Sequence, residues 1–232
     1  GSNNRKNIKE EIMKGLKEYE PNFNLIRAYT HEIEDSLKNS KECFIKIKLE
    51  TVEKYISGWS PIYFITEVPI SWDLILDTPY IQGSTIKGII RDYFKEVCQD
   101  ENVISCLFGD KNREGKVIFL DAYPYEVTKG NKILEYDIIT PHYNNPENDE
   151  YKINPVPIKF LSINKGVRFV AFISFDIYEL NECSDDALQL LIKALLLSIK
   201  MGWGRRTTRG YGGFKIVENE KGEKEVDVVC PY

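Results

Sequence analysis

Hydrophobic residues recur at helical spacing in four segments of the chain. The clearest is Gly83–Val97, where apolar residues at i, i+3, i+4, i+7, i+8 and i+11 form one stripe with basic residues on one flank and acidic residues on the other. Ser184–Met201 is apolar over more than half its surface, which predicts a helix that is buried against a sheet and capped by Ser184. Lys6–Tyr19 and Phe23–Leu37 are predicted to form two further helices.

Elsewhere the hydrophobic period changes to two, which is typical of half-buried strands. In Phe44–Glu50, branched apolar residues alternate with charged residues. A closing hairpin is predicted from Phe214–Val217 and Glu225–Val229, with its turn near Lys221-Gly222. The other predicted extended segments are Val68–Ile81, Lys116–Tyr123, Ile133–Ile139, Ile158–Ile163 and Val167–Ile177.

The order of these elements indicates the fold class. Strands, helix, strands, helix and strands favour an α+β sheet with helices packed on one face, and the ferredoxin-like (RRM-like) arrangement fits this order. The predicted organisation is an N-terminal helical extension over residues 1–40, in which Gly1-Ser2 is interpreted as a tag remnant, and a ferredoxin-like domain with inserted loops over residues 41–232. One inserted loop, Asn144–Pro157, is long and polar, and such loops are usually functional or mobile.

Composition excludes several classes of protein. With 232 residues, 42% of them hydrophobic, the chain can bury a real core, yet no stretch approaches the roughly 18 apolar residues of a membrane span. No secretory signal pattern opens the chain. The five cysteines are scattered without a C-x-x-C pair, so thiols in a reducing cytoplasm are expected rather than disulfides or zinc. The two histidines, His31 and His142, have no ligand spacing, and no metal or other cofactor is expected.

Positive charge is concentrated locally although the whole chain is acidic. The net charge of −5 argues against bulk attraction to nucleic acid. From Ala187 to Val217, however, there is no acidic residue. The cations of this segment are Lys193, Lys200, Arg205, Arg206, Arg209 and Lys215.

A glycine-rich basic loop, Gly202–Gly213, lies inside this segment. Its glycines let backbone N–H groups approach a ligand closely, and arginine side chains present fork-shaped donors that match phosphate oxygens. Trp203 and Tyr211 could stack on unpaired bases. The alternative is a flexible basic turn with Trp203 and Tyr211 in the core. The density of glycine and arginine without acids favours binding of a polyanion.

A second motif opens the helix predicted at Gly83–Val97. The Gly83-Ser84-Thr85 start, with Ser84 as the expected cap, leaves free N–H groups at the positive end of the helix, where anions bind well. Lys87 and Arg91 lie one turn apart on the same side. The alternative is an ordinary capped helix with solvated charges.

A third motif, Tyr136–Tyr143, contains Asp137 and His142. An acid and a histidine this close could perform acid–base chemistry on RNA. A histidine in a loop that contains proline is more often a structural hydrogen bonder, which is the favoured interpretation here.

These motifs, in this order, resemble the RAMP superfamily of CRISPR RNA-binding proteins. That family pairs a Pro-x-Ile-x-Gly-Ser-Ser-x-Lys-Gly-x-x-Arg helix start, matched here by Pro79–Arg91, with a glycine-rich loop near the C-terminus. Between them, Leu107–Gly109 and Gly115–Pro124 match the family pattern. Asp137–Tyr143 and Asn154–Leu161 are similar to the sixth-subunit family of the Cmr-type (type III-B) effector complex. Gln82 departs from the family's usual proline, and Thr85 replaces a second serine.

The resemblance implies a RAMP fold and a non-catalytic role beside RNA. Expected partners are guide RNA and target RNA near the 3′ end of the guide, together with the backbone RAMP subunit, the small helical subunit and the terminal RAMP subunit. No membrane partner and no enzymatic activity are expected. The residues expected to contact RNA are Gly83, Ser84, Lys87, Arg91, Gly204, Arg205, Arg206, Thr207, Arg209, Gly210 and Tyr211.

Two alternatives stay open. One is a RAMP-family endoribonuclease that processes CRISPR RNA without metal, with His31 or His142 as acid or base. The other is an assembly subunit whose surfaces meet protein only.

Overall fold

The computed structural model describes residues 18–52, 55–56, 71–128, 130, 132–139, 158–203 and 213–231, with residues 3, 4, 7, 11 and 15. For residues 55–56, 135–139 and 158–162 the description is of the backbone. The predictions for Asn144–Pro157, and for most of Lys6–Tyr19, lie outside the described residues.

The described part of the chain contains five helices and eleven strands. The helices are α1 (Phe23–Lys38), α2 (Gly83–Val97), α3 (Glu101–Phe108), α4 (Ile177–Cys183) and α5 (Ala187–Met201). The strands are β1 (Cys43–Thr51), β2 (Tyr55–Ile56), β3 (Ser71–Asp73), β4 (Thr78–Tyr80), β5 (Val117–Phe119), β6 (Tyr123–Val127), β7 (Leu134–Ile139), β8 (Ile158–Ile163), β9 (Val167–Phe175), β10 (Phe214–Ile216) and β11 (Val226–Val229). None of the described helices is long and apolar enough to cross a bilayer.

The main sheet is antiparallel and has β1 and β9 at its centre. Its order is β10–β1–β9–β5. β11 pairs with the same edge of β1 as β10, further along the strand, and β6 pairs with the same edge of β9 as β5. If each of these edge pairs is counted as one interrupted strand, the chain runs strand, α2, strand, strand, α5, strand. This is the β-α-β-β-α-β pattern of the ferredoxin-like fold, and the predicted α+β fold class is confirmed.

The larger core lies between this sheet and the helices α2 and α5. Successive strand residues point to opposite faces, so Ile45, Ile47 and Leu49 of β1 project together into this core, and each is fully buried. From α2 the stripe of Ile86, Ile90 and Phe94 meets them, as the helical spacing predicts. Burial of one such side chain stabilises the fold by about 1.5–3 kcal/mol.

The helix α1 covers part of the opposite face of the sheet. Phe44 and Phe172 are buried there beside partly buried residues of α1. Arg27 of α1 donates a 2.8 Å hydrogen bond to the carbonyl oxygen of Tyr125. α2 and α5 pack on one face of the sheet as predicted, and α1, which belongs to the predicted N-terminal extension, lies on the other face. The division of the chain at residue 40 stays a prediction.

Two smaller sheets complete the described fold. Backbone pairing joins β2, β8 and β7 into one of them. β3 and β4 form a hairpin whose turn is residues 74–77.

Four of the five cysteines form disulfides, so the expectation of free thiols is wrong for them. Cys43 is joined to Cys230 and Cys106 is joined to Cys183, whereas Cys98 is free. Pairing of β1 with β11 brings Cys43 beside Cys230, and packing of α3 on α4 brings Cys106 beside Cys183. Because the paired cysteines are far apart in the sequence, they form no short spacing motif that would have predicted the disulfides.

Local capping differs from the prediction around α4 and α5. Asp176 directly follows β9 and caps α4 by accepting hydrogen bonds from the N–H groups of Tyr178 and Glu179. Ser184 then terminates α4 and hydrogen-bonds the carboxylate of Asp186, which is the N-cap of α5. The predicted strand to Ile177 and the predicted cap at Ser184 are therefore wrong.

The C-terminal hairpin is shorter than predicted. β10 and β11 both pair with β1 and lie one after the other along its edge. Hairpin contacts are limited to residues 217–225, where the N–H of Glu225 donates to the oxygen of Val217 at 2.8 Å and Gly222 has a φ of 77°.

Candidate nucleic-acid interface

A groove of about 740 Å³ runs beside the first two turns of α2. One wall is α2 from Gly83 to Arg91, and the other is the connection from the end of α3 to β5. The groove thus brings together the helix-start motif and the Leu107–Gly109 motif, which are well separated in the sequence.

The start of α2 is fixed to the sheet through Gly83. The N–H of Gly83 donates a 2.7 Å hydrogen bond to Oδ1 of Asp121. A Cβ at Gly83 would lie 2.0 Å from the carbonyl oxygen of Phe119, so only glycine fits without backbone movement. The predicted role of Gly83 as an anion donor is corrected accordingly, because its N–H is already used within the fold.

Ser84 lies in the first turn of α2 and not at the cap. The N-cap is Gln82, whose side chain makes no capping hydrogen bond, so the prediction of Ser84 as the cap is wrong. Ser84 is exposed, and within the described part of the chain no acceptor uses its backbone N–H. This N–H and the positive end of the helix therefore remain available to an anion.

Lys87 and Arg91 line the groove on successive turns of α2. Among the described residues neither makes an ion pair with a carboxylate, and Nε of Arg91 is buried without a hydrogen-bond partner. A buried unsatisfied donor costs about 1–3 kcal/mol, more when it is charged. Arg91 lines the groove, and the N–H donors of a guanidinium group match phosphate oxygens.

The opposite wall is a tight turn that holds Arg113. Gly109 has a φ of 82°, and a Cβ at Gly115 would lie 2.4 Å from the oxygen of Leu107, so both glycines are needed for the close packing of this turn. Asp110 accepts backbone hydrogen bonds within the turn and lies 3.8 Å from Nε of Arg113. Arg113 was not predicted as a site residue, although the neighbouring Leu107–Gly109 was singled out as part of the family pattern.

The glycine-rich loop lies mostly outside the described residues. This applies to the predicted site residues Gly204, Arg205, Arg206, Thr207, Arg209, Gly210 and Tyr211. Gly202, with a φ of 86°, ends α5 as expected of a glycine after a helix.

Trp203 belongs to the core, so the idea that it stacks on bases is wrong. It is 1% exposed, and its indole N–H donates to Oγ of Ser198 at 3.1 Å. Its ring centroid lies 5.3 Å from that of Phe214. A buried tryptophan with a satisfied N–H supports the fold and cannot reach a base.

A second groove, of about 780 Å³, lies between α5 and β10. Lys200 and Lys215 line it, but Lys215 makes a 3.1 Å ion pair with Glu50. Glu50 also accepts a 2.8 Å hydrogen bond from Arg168, whose Nη1 lies 2.9 Å from Glu126. Lys215 and Arg168 are therefore paired with carboxylates here, whereas Lys87 and Arg91 beside α2 make no ion pair among the described residues.

These ion pairs shift the titration of Glu50 and Arg168. Partial burial acts to raise the pKa of Glu50, but hydrogen bonds from Arg168 and Lys215 outweigh it and leave the pKa lowered. The hydrogen bond to Glu50 raises the pKa of Arg168.

The candidate catalytic residues are not brought together in the described structure. Asp137 lies on β7 opposite Phe160, with its side chain outside the described part, and His142 is also outside it. His31 lies exposed on α1, with Nε2 3.4 Å from Asp35. In the residues that the structure describes, no group of three or more His, Cys, Asp or Glu side chains could hold a metal ion.

Comparison with known proteins agrees with the fold. The RAMP superfamily profile matches residues 60–215. CRISPR system CMR subunit Cmr6 of Saccharolobus solfataricus is 31% identical over 197 residues, which cover 84% of this chain and 66% of that protein. Cmr6 of Pyrococcus furiosus is 34% identical over 123 residues, 48% of this chain and 33% of that protein.

The chain thus spans at most about two thirds of the length of these relatives. A chain in the cryo-EM structure of the type III-B Cmr-beta complex bound to cognate target RNA superposes with a TM-score of 0.78 at 25% identity, over 100% of this chain and 76% of that one. The family profile matches most of the sequence, and the strand order is that of the expected fold. The chain therefore belongs to the RAMP superfamily.

Proposed function

We propose that this chain is a non-catalytic, RNA-binding subunit of a type III-B CRISPR effector complex in the cytoplasm. Its expected partners are guide RNA and target RNA near the 3′ end of the guide, and the backbone, small helical and terminal subunits of the complex. The similarity to Cmr6 proteins and to a chain of an RNA-bound Cmr complex supports this proposal.

The observation that carries the RNA-binding part is that Lys87 and Arg91 line the groove beside α2 and that, among the described residues, neither makes an ion pair. Among the residues that the structure describes, Nε of Arg91 has no hydrogen-bond acceptor, and Lys87 lies one turn away. Two cations and the free N–H of Ser84 thus face one groove, which suits the oxygens of consecutive phosphates. Arg113 on the opposite wall is a third cation, which pairs with Asp110 at 3.8 Å, and Glu114 also lines the groove.

Contacts of this kind bind the backbone and do not read the sequence. In an RNA-guided complex, pairing between guide and target supplies the sequence specificity, so a protein subunit needs only shape and charge. The arginines of the glycine-rich loop, Arg205, Arg206 and Arg209, remain part of the proposal as a second set of phosphate contacts.

The test is RNA binding by the complex reconstituted with the double variant Lys87→Ala/Arg91→Gln. Loss of two phosphate contacts is expected to weaken binding to all RNA sequences alike and to reduce the slope of log K against log salt by about 1 to 2. The control Lys38→Ala/Lys132→Ala removes two exposed lysines outside the groove and is expected to change neither quantity.

An unchanged slope in a folded Lys87→Ala/Arg91→Gln complex would refute the assignment of these residues to RNA. Incubation of the complex with CRISPR repeat RNA in the presence of a chelator tests the non-catalytic part. Cleavage that disappears in a His31→Ala or His142→Ala variant would establish the endoribonuclease alternative in its place.

A further inference from the structure

Two large aliphatic side chains are almost fully exposed at the turn of the β3–β4 hairpin. Leu74 is 88% exposed and Ile75 is 90% exposed, about twice the exposure of the other exposed large apolar residues in the described chain except Tyr178. The next residue, Leu76, is 7% exposed and packs with Ile26 and Tyr123. Adjacent residues of one turn thus have opposite environments.

The turn is held rigidly in the conformation that exposes these side chains. Oδ1 of Asp73 accepts hydrogen bonds from the N–H groups of Ile75 and Leu76, at 2.9 Å and 3.0 Å. Its Oδ2 accepts a 2.8 Å hydrogen bond from the hydroxyl of Tyr123. Asp77, with a φ of 50°, accepts a 3.0 Å hydrogen bond from the indole N–H of Trp72. These hydrogen bonds therefore fix the turn conformation in which the side chains of Leu74 and Ile75 are exposed.

Tyrosines surround the base of this turn. The rings of Tyr80 and Tyr123 stack with centroids 5.3 Å apart, and Tyr29, which is 38% exposed, meets Tyr123 edge-on at 5.3 Å. Tyr29 and Tyr80 are partly exposed whereas Tyr123 is buried, and aromatic residues are enriched in the centre of protein interfaces.

The negative charge of the hairpin favours a protein over RNA as the molecule that contacts Leu74 and Ile75. Residues 71–80 contain the carboxylates of Asp73 and Asp77 and no cation. Partial burial acts to raise the pKa of Asp73, but hydrogen bonds from Leu76, Tyr123 and Ile75 outweigh it and lower the pKa, so this carboxylate is ionised at neutral pH. Fixed negative charge beside the exposed pair repels phosphate and attracts a basic surface.

We propose that the β3–β4 turn is a docking point for a neighbouring protein subunit, with Leu74 and Ile75 inserted into an apolar pocket whose rim carries lysine or arginine. None of the turn residues 74–77 lines the groove beside α2, so the proposed protein contact and the proposed RNA contact use different residues. This inference rests on the assembly part of the proposed function.

The first test is assembly of the Leu74→Ser/Ile75→Ser variant with the purified remaining subunits, followed by native mass spectrometry. These changes leave the backbone N–H of Ile75 and the carboxylate of Asp73 in place, and an unchanged melting temperature confirms that the hairpin folds. The fraction of complexes that contain the chain is expected to fall at least tenfold at limiting concentration. The control Leu196→Ser/Val228→Ser, two less exposed apolar residues on α5 and β11, is expected to assemble like the wild type.

The second test replaces Ile75 by a photoreactive phenylalanine in the complete complex with RNA. Crosslinking to an apolar peptide of another subunit that has lysine or arginine nearby is the expected result. Crosslinking to RNA or to a second copy of this chain would overturn the proposal, as would normal assembly of the serine variant. A wild-type chain that does not assemble at all would instead refute the proposed function.

Discussion

A single methyl group added at Gly83 is expected to destabilise the chain by about 3 kcal/mol or more. A Cβ at Gly83 would lie 2.0 Å from the carbonyl oxygen of Phe119 and 2.8 Å from its carbonyl carbon. Both are backbone atoms, so no side chain can rotate away, and either α2 or the β5–β6 connection must move. Overpacking of this kind costs about 1–3 kcal/mol. Movement that breaks the 2.7 Å hydrogen bond from Gly83 to Asp121 leaves a buried donor unsatisfied and adds about 1–3 kcal/mol.

The same helix provides a matched control at Gly88. A Cβ at Gly88 meets nothing within 4 Å, and the residue is exposed in the interior of α2. Replacement of a helix-interior glycine by alanine there should stabilise the chain by about 0.5–1 kcal/mol. The same chemical change in one helix is thus expected to have opposite signs at two positions five residues apart.

Urea unfolding and thermal melting of Gly83→Ala and Gly88→Ala measure this difference. For a chain of this size a loss of about 3 kcal/mol lowers the melting temperature by about 6–12 °C. A free energy of unfolding for Gly83→Ala within about 0.5 kcal/mol of the wild type, below the overpacking cost, would refute the close approach of α2 to the β5–β6 connection. Equal destabilisation by both variants would refute the distinction between the two positions.

The remaining predictions concern the disulfides, Trp203 and Glu50. Thiol titration of the chain unfolded without reductant is expected to find only Cys98. A finding of five free thiols would contradict the two disulfides. Reduction is expected to lower the melting temperature, because the Cys106–Cys183 link spans 77 residues and its opening stabilises the unfolded chain by about 4 to 5 kcal/mol through conformational entropy. Trp203→Phe is expected to cost about 2 kcal/mol of stability without changing RNA affinity, whereas weaker RNA binding at unchanged stability would contradict its burial. Above pH 4.5 the wild type is expected to be more stable than Glu50→Gln. This difference is expected to disappear as the pH falls through the lowered folded-state pKa of Glu50. A difference that stays constant in acid unfolding curves down to pH 2 would count against the Arg168 pairing.

Local pattern was enough to predict the elements of the fold that carry the groove. α2 begins and ends where the apolar stripe predicts, α1 is one residue longer than predicted at its C-terminal end, and β1 is one residue longer at each end. Lys87 and Arg91 line one groove because their spacing of one turn is a property of the helix alone. The signal for these features lies within a few neighbouring residues.

Features that depend on distant partners could not be predicted in this way. Gly83 precedes its acceptor Asp121 by 38 residues, and nothing near Gly83 indicates that its N–H is used. Trp203 sits among glycines and arginines that indicate a loop, yet the ring of Phe214 and the hydroxyl of Ser198 decide its burial. The short α4 was missed because its apolar residues continue those of β9, and only the cap at Asp176 separates the two elements.

The position of α1 determines how a nucleic acid can approach this chain. RRM domains bind single strands across the open face of their sheet, where aromatic residues stack on the bases. Here Phe44 and Phe172, on the corresponding surface, are buried beside α1, and the 2.7 Å ion pair between Lys46 and Glu34 joins the helix to the sheet. Where α1 covers it, this face of the sheet is closed to base stacking, so RNA bound as proposed would meet the helix starts and turns beside the sheet instead.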